Sequence, residues 1–183
     1  MLFTECRLRG ACVIDLDKRE DERGFFARSW CREEFAAHGL TTRLAQCNLS
    51  FSRRRGTLRG MHYQVTPYEE AKLLRCTRGA VYDVMIDLRA DSPTYLQWEA
   101  VELRADAYRM VYVPEGFAHG FQTLEDASEV LYLVSAPYRP EYERGVRWDD
   151  PTFGIRWPYG EPILSARDQQ HPNFVPARLE RVR

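Results

Sequence analysis

The segment Leu58-Arg59-Gly60-Met61-His62-Tyr63-Gln64 sets an imidazole close to a guanidinium, and Lys72 follows eight residues after Gln64. Histidine has an ordinary pKa suited to proton abstraction near neutrality. A compact ammonium and a guanidinium beside it suit the developing oxyanion of an enolate. Such a set points to carbanion or enolate chemistry on an anionic substrate. Of 26 basic residues only Lys18 and Lys72 are lysines, so a lysine at the head of the apolar pair Leu73-Leu74 is a conspicuous choice.

These groups need a scaffold that aims them together. In a regular strand Leu58, Gly60, His62 and Gln64 share one face and Arg59 points the other way. Glycine inside a strand often marks a bulge, and a bulge at Gly60 brings Arg59 and His62 to one side. Taken singly, each residue has an ordinary alternative. His62 also fits a core or surface histidine, and Lys72 fits a strand-end lysine reaching water.

Further candidates follow along the chain. Asp83 interrupts the apolar run Val81–Ile86 and needs a partner if buried, either an arginine, Lys72 or a histidine that it orients. Tyr132 shares a face with Val130 and Val134, as a core tyrosine or an acid. Tyr138 lies in a loop between Pro137 and Pro140, able to stack on a base ring or to pack over a barrel mouth. Asp168 reads as a turn or capping residue, or as the carboxylate that holds a ring nitrogen of His62.

Only Ser29–Ala37 reads as helix, ending at Gly39. The strands expected are Leu73–Cys76, Ala80–Leu88, Trp98–Leu103, Arg109–Val113, Phe117–Leu124 and Glu129–Ser135, separated by turns such as Thr77-Arg78-Gly79. This spacing predicts a mainly β sandwich or small barrel. The Pro-, Gly- and Trp-rich tail from Asp149 is expected to pack outside the sheets. The 183 residues, 44% apolar, suit one domain over 1–183. A net charge of −1 gives no reason to invoke nucleic acid. Five cysteines without a CxxC pair read as free thiols. Neither a leader nor a membrane-length apolar run is visible, so a cytoplasmic location is expected.

Pro114-Glu115-Gly116-Phe117-Ala118-His119 resembles the second motif of the cupin β-barrels. Where metal cupins carry His-x-His, this chain has His62-Tyr63-Gln64, so an amide replaces one imidazole. More broadly, the chain resembles the dTDP-4-dehydrorhamnose 3,5-epimerase family. The resemblance runs through Asp21–Phe26, Gln46–Ser50, Gly56–Gln64, Tyr82-Asp83-Val84, Pro114–Phe121, Gly145–Pro151 and Leu164–Asp168. It implies a cupin-type jelly roll with a few short peripheral helices, a homodimer, and no cofactor or metal. It implies that His62 is the base paired with Asp168, that Tyr132 is the opposing acid, and that Lys72 steadies the enolate. Arg23, Gln46, Asn48, Arg59, His119 and Glu143 would contact the nucleotide sugar, and Tyr138 would stack on the thymine. The segment around Arg23 would reach into the partner's site.

The chain departs from the family pattern at Ala27-Arg28, where a Phe-x-Glu pattern is common, and at Leu49 and Leu133, where histidine and lysine are common. Arg28 could bind phosphate where the family offers a carboxylate. The activity expected is inversion of C3 and C5 in a nucleotide-linked 4-keto-6-deoxyhexose. Alternatives are a C3-only epimerase or ketoisomerase on a dTDP-, CDP- or GDP-sugar, a metal-dependent cupin oxygenase using His62 and His119, and a non-catalytic sugar-nucleotide-binding protein.

Overall fold

The computed structural model describes residues 1–176; the expected domain runs on to Arg183, and its last seven residues, 177–183, lie outside the described ones. Strands β1 (Leu2–Glu5) and β2 (Cys12–Asp15) lead into a hairpin, β3 (Arg19–Asp21) and β4 (Gly24–Phe26). Helix α1 (Arg32–Ala37) follows, then β5 (Gln46–Ser52), β6 (Leu58–Gln64), β7 (Lys72–Arg78) and β8 (Ala80–Asp87). The chain continues through β9 (Trp98–Arg104), β10 (Met110–Val113), β11 (Phe117–Thr123), β12 (Ser128–Val134), β13 (Glu143–Gly145) and α2 (Ala166–Gln169). The expected strands agree with β7 to β12 within two residues at each end. The helix starts later than Ser29, because Cys31 occupies the extended cap position and offers no side-chain hydrogen bond to the first turn.

One antiparallel sheet has the order β1-β2-β10-β7-β12-β5, and a second has β13-β6-β11-β8-β9. They pack face to face as a cupin-type jelly roll. Alternation along each strand decides which residues meet between them. Leu74, Cys76, Val81, Met85, Phe117, Phe121 and Val130 fill the shared core. Their outward neighbours need other cover. Leu73, Met110 and Tyr112 pack under Phe35 of α1. Val84, Ile86 and Ala118 pack under Phe153, Trp157 and Phe174, so the tail from Asp149 does lie outside the sheets.

Among the described residues no helix is long and apolar enough to cross a membrane. All five cysteines are free thiols.

Candidate active site

The site is built where inward alternation continues past the apolar core into polar residues. On β6 the alternation is broken as expected. In the β6–β11 pairing His119 stands opposite His62, while Phe121 stands opposite Arg59, so β6 carries one extra residue in the bulge. Gly60 has φ +143°, and a Cβ there would sit 2.6 Å from the Gly120 Cα. A Cβ on Gly120 would in turn sit 2.7 Å from the Arg59 carbonyl oxygen. The two glycines let the strands close up, and the bulge turns Arg59 and His62 into one cavity.

That cavity has a volume of about 290 Å³. The five-stranded sheet contributes Arg59, His62 and His119; the six-stranded sheet contributes Ser50, Lys72 and Tyr132; Ser165, Arg167 and Asp168 close one end. His62 Nε2 lies 2.7 Å from Asp168 Oδ1, which leaves Nδ1 free of protein hydrogen bonds among the described residues. Asp168 is placed by its short helix: the Ser165 hydroxyl oxygen accepts from the Asp168 N–H at 3.0 Å. Burial pushes the Asp168 carboxyl up, but the hydrogen bond and charge of His62 outweigh it, and its pKa falls below the ordinary aspartate value.

His119 has its own carboxylate. Its Nε2 lies 2.9 Å from Asp83 Oδ2, so Asp83 orients a histidine rather than pairing with an arginine or with Lys72. Lys72 is only 8% exposed. Its ammonium sits 3.3 Å from Glu70 Oε1 and 3.4 Å from the His62 carbonyl oxygen. Tyr132 is pushed above the ordinary tyrosine pKa, by burial first and then by the Glu70 charge, so it stays a phenol across the neutral range. Arg59 donates to the Ser52 hydroxyl at 3.2 Å and the Phe51 carbonyl at 3.1 Å, which steadies its guanidinium at the cavity.

The remaining expected residues divide in two. Asn48 stands opposite Tyr132 across β5–β12. Gln46, two residues earlier on the same face of β5, accepts a hydrogen bond from the Tyr138 N–H at 2.6 Å. The Tyr138 hydroxyl donates to Glu143 at 2.5 Å, and Arg167 also binds Glu143, forming a polar rim. Those bonds hold the Glu143 carboxyl below its ordinary pKa against the opposing effect of burial. Arg23 is not brought to the cavity of its own chain. It sits at the exposed tip of the β3–β4 hairpin, bonded to Asp21 at 2.6 Å. Arg28 also lies away from the cavity lining, tied to Glu34 at 2.9 Å.

Several residues were not expected from the sequence. Glu70 follows Glu69 in what reads as a polar turn. Arg167 is one arginine among many. His171 packs its ring against the backbone at Gly145, where a Cβ would come within 2.3 Å of it. Its only signal is its place three residues after Asp168. Gln64 is 2% exposed and serves structure: its amide donates to the Tyr68 carbonyl and its oxygen accepts from the Arg139 N–H at 2.6 Å. It anchors the loop that carries Tyr138 and is not directed at a metal between His62 and His119.

The family model described as dTDP-4-dehydrorhamnose 3,5-epimerase matches residues 5–175. A relative of that name from Sinorhizobium fredii is 40% identical over 175 residues, covering 95% of this chain and 90% of the relative. A dTDP-4-dehydrorhamnose 3-epimerase from Streptomyces niveus is 45% identical over 172 residues, covering 93% and 83%. The solved structure of the 3,5-epimerase from Legionella pneumophila, in complex with dTDP-4-keto-L-rhamnose, superposes with a TM-score of 0.87 at 35% identity, covering 94% of this chain and 92% of that one. Matched from residue 5 to 175, and by relatives of nearly its own length, the chain is an isomerase of the dTDP-4-dehydrorhamnose 3,5-epimerase family.

Proposed function

We propose that this chain converts dTDP-4-dehydro-6-deoxyglucose to dTDP-4-dehydrorhamnose by inverting C3 and C5 through enolates, without a cofactor or metal. The observation that carries the reading is the placement of His62 and Tyr132 on facing sheets of one cavity, with His62 held by Asp168 at 2.7 Å. Inversion needs a base on one face of the sugar ring and an acid on the other.

The C4 ketone acidifies the protons on C3 and C5. With Nε2 engaged by Asp168, His62 takes the C3 proton on Nδ1, and Asp168 stabilises the resulting imidazolium. The electron pair moves into the enolate oxygen, beside the Lys72 ammonium. Tyr132 gives its proton to C3 from the opposite face. Solvent exchange returns a proton to the phenolate and removes one from the imidazolium, and the cycle repeats at C5.

Arg59, His119, Gln46, Asn48 and Glu143 bind the nucleotide sugar, and Tyr138, 47% exposed at the rim, stacks on the thymine. The protein acts as a single cytoplasmic domain that pairs as a homodimer. Support for the pairing comes from the hairpin arm carrying Arg23 and from the exposed apolar side chains Phe26, Leu49 and Phe51. The five free thiols accord with a reducing compartment.

The test is product formation from dTDP-4-dehydro-6-deoxyglucose by wild type and His62→Asn. Loss of the general base is expected to lower the rate by about 10²–10⁴-fold, with dTDP binding and thermal unfolding unchanged. A His62→Asn rate near wild type would remove the histidine from the mechanism.

A further inference from the structure

We propose that His62, Asp168 and His171 form a site for a divalent transition-metal ion such as Zn²⁺, and that the ion inhibits the enzyme by capturing its base. One nitrogen from each histidine and one oxygen of Asp168 lie within 4.8 Å of one another. Asp168 Oδ1 is 2.7 Å from His62 Nε2 and 3.6 Å from His171 Nε2. Zinc bonds of about 2.0–2.2 Å place tetrahedral ligand atoms roughly 3.3 Å apart. The two carboxylate–imidazole distances bracket that spacing, and side-chain rotation that draws the two imidazoles together seats the ion. Two imidazoles and a carboxylate are a donor set that such ions favour.

The third ligand is a built feature. His171 Nε2 is buried and has no hydrogen-bond partner among the described residues. Its ring occupies the space left by the missing side chain of Gly145, which pairs with His62 across β13–β6. The next residue is pinned by the Arg147 N–H, which donates to the Pro172 carbonyl at 3.0 Å. The ring is therefore held against the His62–Asp168 pair with an unused nitrogen toward it. The His62 side chain is 29% exposed, so a fourth coordination position opens to the cavity.

Inhibition follows from the chemistry of the imidazole. The ion replaces the proton shared between His62 and Asp168 and releases it to solvent. A histidine coordinated through Nε2 carries its remaining proton on Nδ1 and cannot accept another there. This consequence rests on His62 being the base, as proposed above; the metal site itself does not.

The experiment titrates chelator-treated enzyme with ZnCl₂ by calorimetry and repeats the titration with CoCl₂ by visible absorption. Wild type is expected to bind one ion per chain, with a cobalt spectrum lacking a thiolate charge-transfer band, and to lose activity in parallel, reversibly with EDTA. His171→Asn is expected to bind the ion more than about tenfold more weakly, with unfolding temperature as the control. Absence of binding in wild type, a thiolate band, or a folded His171→Asn of unchanged affinity would overturn the site. Binding without inhibition would overturn the capture of the base. The activity of metal-free His62→Asn reports separately on whether His62 is the base.

Discussion

In the proposed mechanism His62 is the base in the orientation that Asp168 holds at 2.7 Å, and the remaining polar residues of the cavity set charge around that pair. Glu70 has the widest reach. It pairs with the Lys72 ammonium at 3.3 Å, and its charge adds to the burial that holds the Tyr132 phenol above its ordinary pKa. An anion beside a phenol disfavours the phenolate, so removing that charge makes Tyr132 easier to ionise. Glu70→Gln is therefore expected to shift the alkaline limb of the kcat profile to lower pH, with a reduced kcat from the loosened lysine. An alkaline limb that stays in place, measured in kcat against pH, would separate Glu70 from Tyr132. His62 and Lys72 stand out in the sequence, whereas Tyr132 and Asp168 take their roles there from the family resemblance; the fold brings all four to one cavity. Glu70 and His171 do not stand out, because a glutamate in Tyr68-Glu69-Glu70 and a histidine in Gln169-Gln170-His171-Pro172 look like ordinary polar turns, and only the folded chain sets them against Lys72 and Asp168.

At the scale of elements, the bulge at Gly60 is what converts a strand into half of a site. It was readable from one glycine set against a period of two, and the positions of β7 to β12 were readable from their apolar runs. The facing glycine was not, since nothing local says that Gly120 must lie against Gly60. A Cβ on Gly120 meets the Arg59 carbonyl at 2.7 Å and the Gly60 Cα at 2.9 Å, both backbone atoms that cannot swing aside. Gly120→Ala is expected to cost about 1–3 kcal/mol of stability and to lower activity by displacing Arg59 and His62. Thermal unfolding and rate should fall together; a variant with the wild-type unfolding temperature would mean that the strands have room to part. The sequence reading starts α1 at Ser29, whereas the helix begins at Arg32 and Cys31 holds the cap position with no side-chain hydrogen bond to mark it.

For the whole molecule, the arm formed by β3 and β4 carries Arg23 away from its own cavity, and the proposed homodimer gives it a destination. If Arg23 acts in the partner's site, mixing Arg23→Ala with His62→Asn creates heterodimers with one intact site. Activity is then expected to reappear when the two impaired proteins are unfolded and refolded together. No recovery, with mixed dimers shown to form, would place Arg23 outside the partner's site. Composition alone does not single out a pairing surface; the sheet order places β5 at an edge, with Leu49 and Phe51 exposed on it. The central claim, a base and an acid working on two carbons from facing sheets, is tested most directly by incubating the enzyme with dTDP-4-dehydro-6-deoxyglucose in D₂O and locating the label by NMR. Deuterium at both C3 and C5 is the predicted result. Deuterium at C3 alone would contradict the double inversion, and none at either carbon would contradict the enolate mechanism.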